Sequence, residues 1–251
     1  MALPNFLGQP MAQQFELDRL DGEVKTLLLK ILERYAYRQR MIVNAMGHGL
    51  KFLSDLETKR GFLESLDHAF HVSVEVERLF DALGGVELMG AIRPRMERIP
   101  YPESRQELAA GLALVRRAAH ASAMSYQGCV CKDFGALAMT VAHAPSLSAE
   151  TEEERFIAFS TDSSNKRQAQ TYWDRWLSLS LLSLGRPGAR GDARAVALGI
   201  RTIPTAQIVR TFLEELEPLR KACGLEHTRL EGFGVQLPED LRNRFGTVGL
   251  S

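Results

Sequence analysis

Along most of this chain apolar residues recur at three- and four-residue intervals, the spacing of helices that bury one face, and no β-rich segment of consequence interrupts them. The stretch Arg60 to Gly85 reads as one long helix closed by a Gly-Gly stop. Laid out at about 100° per residue, Phe62, Leu66, Ala69, Val76, Phe80 and Leu83 form an apolar stripe; Glu64, His71, Glu75 and Arg78 fall opposite, with Asp67 and His68 at the edges. Before it, Asp18 to Phe52 predicts a long helix bent near Gly47 and Gly49. Arg38 and Gln39 interrupt its stripe of Leu28, Ile31, Leu32, Tyr35, Ile42, Met46 and Leu53. The prolines Pro94, Pro100 and Pro102 make residues 86–104 a connection holding at most a short helix.

A third helix is expected from about Ser104 to Cys131. One of its faces carries Gly111, Ala118, Ala121, Ser125 and Gly128, which lets neighbouring helices approach closely. Phe134 to Ala142 is a further helical piece. Ser148 to Leu184 is expected as one fourth helix, with Phe159, Ala169, Trp173, Leu177, Leu181 and Leu184 inward and Asp162, Ser163, Lys166 and Gln170 on the same face. After a GRPGARG loop, Ala193–Leu198 and Pro204–Cys223 are helical, and Gly224 suits the position just past a helix end. The predicted organisation is one all-α domain over 1–251: an arm at 1–14, a bundle of two helical hairpins at 18–185, C-terminal helices at 186–225 and a tail at 226–251.

Composition narrows the function classes. With 31 basic and 31 acidic residues the formal charge is zero, so nothing in the overall balance favours nucleic acid or anionic lipid. No run of about 18 apolar residues marks a membrane span, and the first residues lack the charged and apolar regions of a signal peptide, so a cytoplasmic location is expected. Cys129, Cys131 and Cys223 make no disulfide framework; Cys129 and Cys131 lack the second pair that zinc spacing needs, so core packing is expected.

A di-iron carboxylate site in a helical bundle needs Glu on two helices and Glu-x-x-His on the other two, because carboxylates balance the two cations and i, i+3 spacing puts both ligands on one face. No Glu-x-x-His occurs here; the nearest segments are DHAFH at 67–71 and DSSNK at 162–166. With the later GIRTIPTAQIVRTFLEELEPLRKACGLE and the VQLPED near the end, this succession of elements resembles the phenylacetyl-CoA monooxygenase family of the ferritin-like superfamily, over roughly residues 25 to 240. That family carries Asp-Glu-x-x-His on its second and fourth bundle helices. Carried over by position, its Glu corresponds to His68 and Ser163, and its His to His71 and Lys166. The resemblance therefore implies a ferritin-like four-helix bundle with a degenerate di-iron site. It also implies a non-catalytic structural or binding subunit without a cofactor, in a homo-oligomer or a hetero-oligomer with a related subunit.

Other constellations keep rival readings open. His68 and His71, with Glu64 and Glu75 at i, i+4 spacing, are a solvated polar face or the ligands of iron or another divalent metal in an altered oxygenase acting on an acyl-CoA or aromatic substrate. Arg38, Lys132, Asp133, Asp162 and Lys166 are candidates for a buried ion-pair cluster in the space of a lost metal centre, with Asp162 and Lys166 spaced to pair. Arg186, Arg190 and Arg194 (with Arg201) form a linker or a site for an anion such as a CoA phosphate, because guanidinium forks match phosphate. The third function class is an apolar small-molecule or acyl-CoA binding protein using the bundle interior.

Overall fold

The computed structural model describes residues 17, 19–144, 147–230, 234–238, 240 and 241. The expected arm at 1–14 and most of the tail after 230 lie outside the described residues. Among the described residues helices are the only regular secondary structure, which makes the fold all-α, and none of them is long and apolar enough to cross a membrane.

Three of the long helices start where a short polar side chain takes up free backbone N–H groups. Helix α1 (Gly22–Gly49) begins at Asp21, whose carboxylate accepts from the Glu23 amide at 2.7 Å, and runs into a 3-10 turn at Leu50–Phe52. Helix α2 (Leu56–Ala82) begins at Asp55, which accepts from Thr58 N at 2.6 Å. A short α3 (Leu88–Met96) occupies the proline-rich connection. Helix α4 (Arg105–Met124) is capped reciprocally: Ser104 Oγ accepts from Glu107 N at 3.1 Å, and the Glu107 carboxylate reaches back to Glu103 N at 2.9 Å.

Helix α4 is the hub, packing most extensively on α7 (Lys166–Leu184) and α6 (Leu147–Thr161), and also on α1, α5 (Lys132–Ala142) and α9 (Thr205–Ala222). Nine successive residues from Glu107 to Val115 are buried, the signature of a helix surrounded on all sides. Gly111 is what lets α7 in: a Cβ there would lie 2.8 Å from the Trp176 ring. The α1–α2 pair, joined by a short link, forms a helical hairpin. The buried apolar residues fall into two clusters. One is built around α4, α7 and α9; the other lies between α1, α2, α3 and α5.

Two expected helices are shorter than the apolar spacing indicated. The third ends at Met124, because Ser125 Oγ turns back to Ser122 O at 2.6 Å and Gly128 takes a left-handed φ of 75°. The expected fourth helix is two. At Asp162 the backbone leaves the helix (φ −71°, ψ 123°), and its carboxylate accepts from Ser164 N at 2.9 Å and Ser164 Oγ at 2.7 Å, capping a 3-10 turn before α7 starts. The run Thr161-Asp-Ser-Ser-Asn165 concentrates the side chains that compete with helical hydrogen bonds, and here they win. A short α8 (Arg190–Ala197) precedes α9, which ends as expected at Gly224 with a positive φ of 59°.

Candidate functional site

Of the predicted α2 residues, Glu64 and His71 are exposed, while His68 and Glu75 are partly buried at the edge of the core. Glu64 lies 3.4 Å from Arg60, and Glu75 pairs with Arg78 at 2.7 Å. His71 Nδ1 donates to the Asp67 carbonyl at 2.9 Å. Burial lowers the pKa of His68, opposed by its interaction with the Thr140 backbone. Among the described residues no group of three or more His, Cys, Asp or Glu is arranged to hold a metal ion. The two segments matched to the oxygenase motif do not fit a di-iron centre: Asp67 and His71 are on the outside of α2, and Asp162 and Ser163 are exposed at the break between α6 and α7.

The five residues expected as a buried charge cluster do not come together. Lys132 and Asp162 are exposed, and Asp133 is partly buried at the start of α5. Lys166 does not pair with Asp162, because the helix that would have set them one turn apart is broken. Its Nζ instead donates to Cys223 O at 2.7 Å and Gly224 O at 3.2 Å, closing the C-terminal end of α9. Only Arg38 is fully buried, at 2% exposure. Its Nε donates to Ser183 Oγ at 3.1 Å and its Nη2 to Ser183 O at 2.8 Å, while Nη1 has no partner. Ser183 is in the last turn of α7, so a buried cation caps a helix end whose partial charge is negative.

Ser183 also lines a cleft of about 400 Å³ that opens at this end of α7. Its lining includes four arginines: Arg34 from α1, Arg95 and Arg98 at the end of α3, and Arg186 from the loop after α7. The lining also has an apolar part, from Leu179, Leu181 and Leu182 of α7, Val209 of α9 and Val235. The backbone is tailored for this approach. Gly185 has φ 103°, a region L side chains avoid, and a Cβ there would sit 3.0 Å from Arg34 Nη1.

Among the described residues none of these four arginines makes an ion pair with a carboxylate. Arg34 is partly buried; burial, then Arg201, then Arg95 push its pKa down, against pulls from Tyr126 and Asp192. Asp192 is already taken up by Arg201 at 3.3 Å and by the Thr205 hydroxyl at 2.6 Å. Guanidinium groups do not discharge in proteins, so cations crowded in this way are relieved by an incoming anion. The cleft thus offers charge-assisted hydrogen-bond donors beside an apolar surface.

Of the expected loop arginines, Arg186 is in the cleft, Arg194 pairs with Glu23 of α1, and Arg190 is exposed at the start of α8. Arg34, Arg95 and Arg98 were not foreseen. Their signal is the arginine-rich run RPRMER at 93–98, and an arginine at 34 one turn before Arg38. Compared with known proteins, the chain matches no family model and no curated protein.

Proposed function

We propose that this protein is a non-catalytic helical binding protein, and that its arginine-lined cleft takes an amphipathic anion: a phosphate or carboxylate head joined to an apolar body, as in an acyl-CoA. The observation that carries the reading is the pairing of four arginines lacking carboxylate partners among the described residues with apolar side chains in the lining of one cleft. A volume of about 400 Å³ is within the roughly 300–1,000 Å³ of small-molecule sites. The buried Arg38 cation beneath Ser183 adds positive potential from below.

The α1–α2 hairpin packed on α4, α6 and α7 is consistent with a ferritin-like bundle related to the phenylacetyl-CoA monooxygenase subunits, and that resemblance remains part of the proposal. Within it the chain serves as a binding subunit, because DHAFH and DSSNK supply no converging ligand set. The rival oxygenase built on His68 and His71 is disfavoured because no three His, Cys, Asp or Glu converge among the described residues and Glu75 is held by Arg78 at 2.7 Å.

Titration calorimetry with octanoyl-CoA, octanoate and CoA tests this reading. Octanoyl-CoA is expected to bind more tightly than either part alone, with affinity falling as salt rises. An Arg34→Glu/Arg95→Glu variant should lose at least about tenfold in affinity, since removing charged hydrogen bonds costs about 1.5–3 kcal/mol each. Equal binding by the variant and the parent, or no binding of any of the three compounds by the parent, refutes it.

A further inference from the structure

The outer face of α2 carries a feature that the cleft does not explain. Leu56, Leu63 and Phe70 are 83%, 49% and 49% exposed, although each is a large apolar side chain. They are seven residues apart, so they align in one stripe about 21 Å long on α2, turned about 120° from the buried stripe of Phe62, Ala69 and Val76. On one flank of the stripe stand Arg60 and, one heptad later, Asp67; both are exposed and engaged only by weak neighbours of their own helix, Glu64 at 3.4 Å and His71 at 3.4 Å.

We infer that this face is a two-fold interface between two copies of the chain, with their α2 helices packed antiparallel and Leu63 on the axis. The pattern is self-complementary about that residue. In an antiparallel pair, positions equally far on either side of the centre meet, so Leu56 of each copy lies against Phe70 of the other and Leu63 meets its own counterpart. The same flank of each helix faces the same flank of its mate. Arg60 and Asp67 stand three and four residues either side of the centre, so the same operation brings each Arg60 beside the other copy's Asp67. One rotation thus covers three apolar side chains per copy and forms two equivalent ion pairs.

A membrane surface fits the face less well. The charges around the stripe are of both signs, and Glu64 and Asp67 would meet any anionic headgroup. Three anchors per copy make a small contact, in the class below about 1,200 Å² in total, so the dimer is reversible and concentration-dependent.

Sedimentation equilibrium of the full chain over a hundredfold range of concentration reads this directly, with circular dichroism to confirm that each variant is folded. The parent should pass from monomer to dimer, and Leu63→Asp should raise the dissociation constant at least about tenfold. Arg60→Asp and Asp67→Arg should each weaken the dimer, and Arg60→Asp/Asp67→Arg should restore it by rebuilding the pairs in reverse. Leu63→Cys should form a disulfide-linked dimer with itself on mild oxidation, the native cysteines being buried. A parent that stays monomeric throughout overturns the proposal and leaves the face to another partner. A Leu63→Asp variant that associates like the parent, or a charge-swapped variant no better than its single components, overturns it as well. None of these readouts depends on ligand binding at the cleft.

Discussion

Replacing Arg175 by Met is expected to destabilise the protein more than removing the carboxylate that Arg175 serves. Glu107, at 0% exposure, is the most deeply buried charge in the core of α4. Its Oε1 accepts from Arg175 Nη1 at 2.7 Å and from Trp176 Nε1 at 3.2 Å, and its Oε2 accepts from Glu103 N at 2.9 Å. The Arg175 side chain is itself 35% exposed, so the pair is asymmetric: one charge depends on the protein for solvation and the other has water within reach. Arg175→Met leaves the carboxylate buried with two neutral donors. Breaking a buried pair in this way costs about 3–5 kcal/mol, and the partial exposure of Arg175 places this case near the low end, about 3 kcal/mol. For a chain of this size that is a fall of roughly 6–12 °C in Tm.

Glu107→Gln keeps the shape and an acceptor for Trp176, and lets Arg175 turn to solvent, so about 1–2 kcal/mol is expected. The double variant should therefore be more stable than Arg175→Met alone. Urea unfolding followed by far-ultraviolet circular dichroism gives all three values and their coupling energy. If Arg175→Met costs less than about 1 kcal/mol, or the double variant is the least stable of the set, the carboxylate is hydrated and the argument from burial fails.

Two further outcomes follow from the packing and the charges. Gly111→Ala puts a Cβ 2.8 Å from the Trp176 ring, and because α4 is enclosed on all sides it should lose about 1–3 kcal/mol in the same urea assay despite alanine's better helix propensity. Glu217, held by Arg220 at 2.7 Å, has its carboxyl pKa lowered to about 2 by that hydrogen bond. A depressed carboxylate contributes stability that is complete above its unfolded pKa of about 4.3 and is lost as pH falls towards the folded value. Glu217→Gln should therefore flatten the decline of Tm between about pH 4.5 and 2 while leaving its slope near neutrality unchanged.

The helical character of the fold was legible because it rests on spacing. The stripe of Phe62, Ala69, Val76 and Phe80 is the buried face of α2, and Arg38 and Gln39, which stand among apolar neighbours in the sequence, are buried with them. What spacing missed was competition at a few residues. The same 3.6-residue pattern runs through 162–165, yet Asp162 satisfies the Ser164 amide with its own carboxylate, and that local bond outweighs continuation of the helix. This one break moved Asp162 and Ser163 to the surface and gave Lys166 to the end of α9. The cleft was only half visible: Arg186 stood out in a glycine-rich loop, but its companions come from α1 and α3, and their meeting depends on the turn at Gly185. Such a meeting is a property of tertiary packing.

The chain has two tryptophans, Trp173 and Trp176, and both are buried within one turn of α7, at 2% and 0% exposure. The intrinsic emission of the whole protein is therefore the emission of a single helix, blue-shifted as long as α7 is seated on α4. The same helix ends at the arginine cleft about two turns further on, so it carries an optical reporter at its middle and the candidate ligand site at its C-terminal end. A spectral change on adding a ligand, with the far-ultraviolet signal constant, would register movement of α7 rather than loss of structure elsewhere.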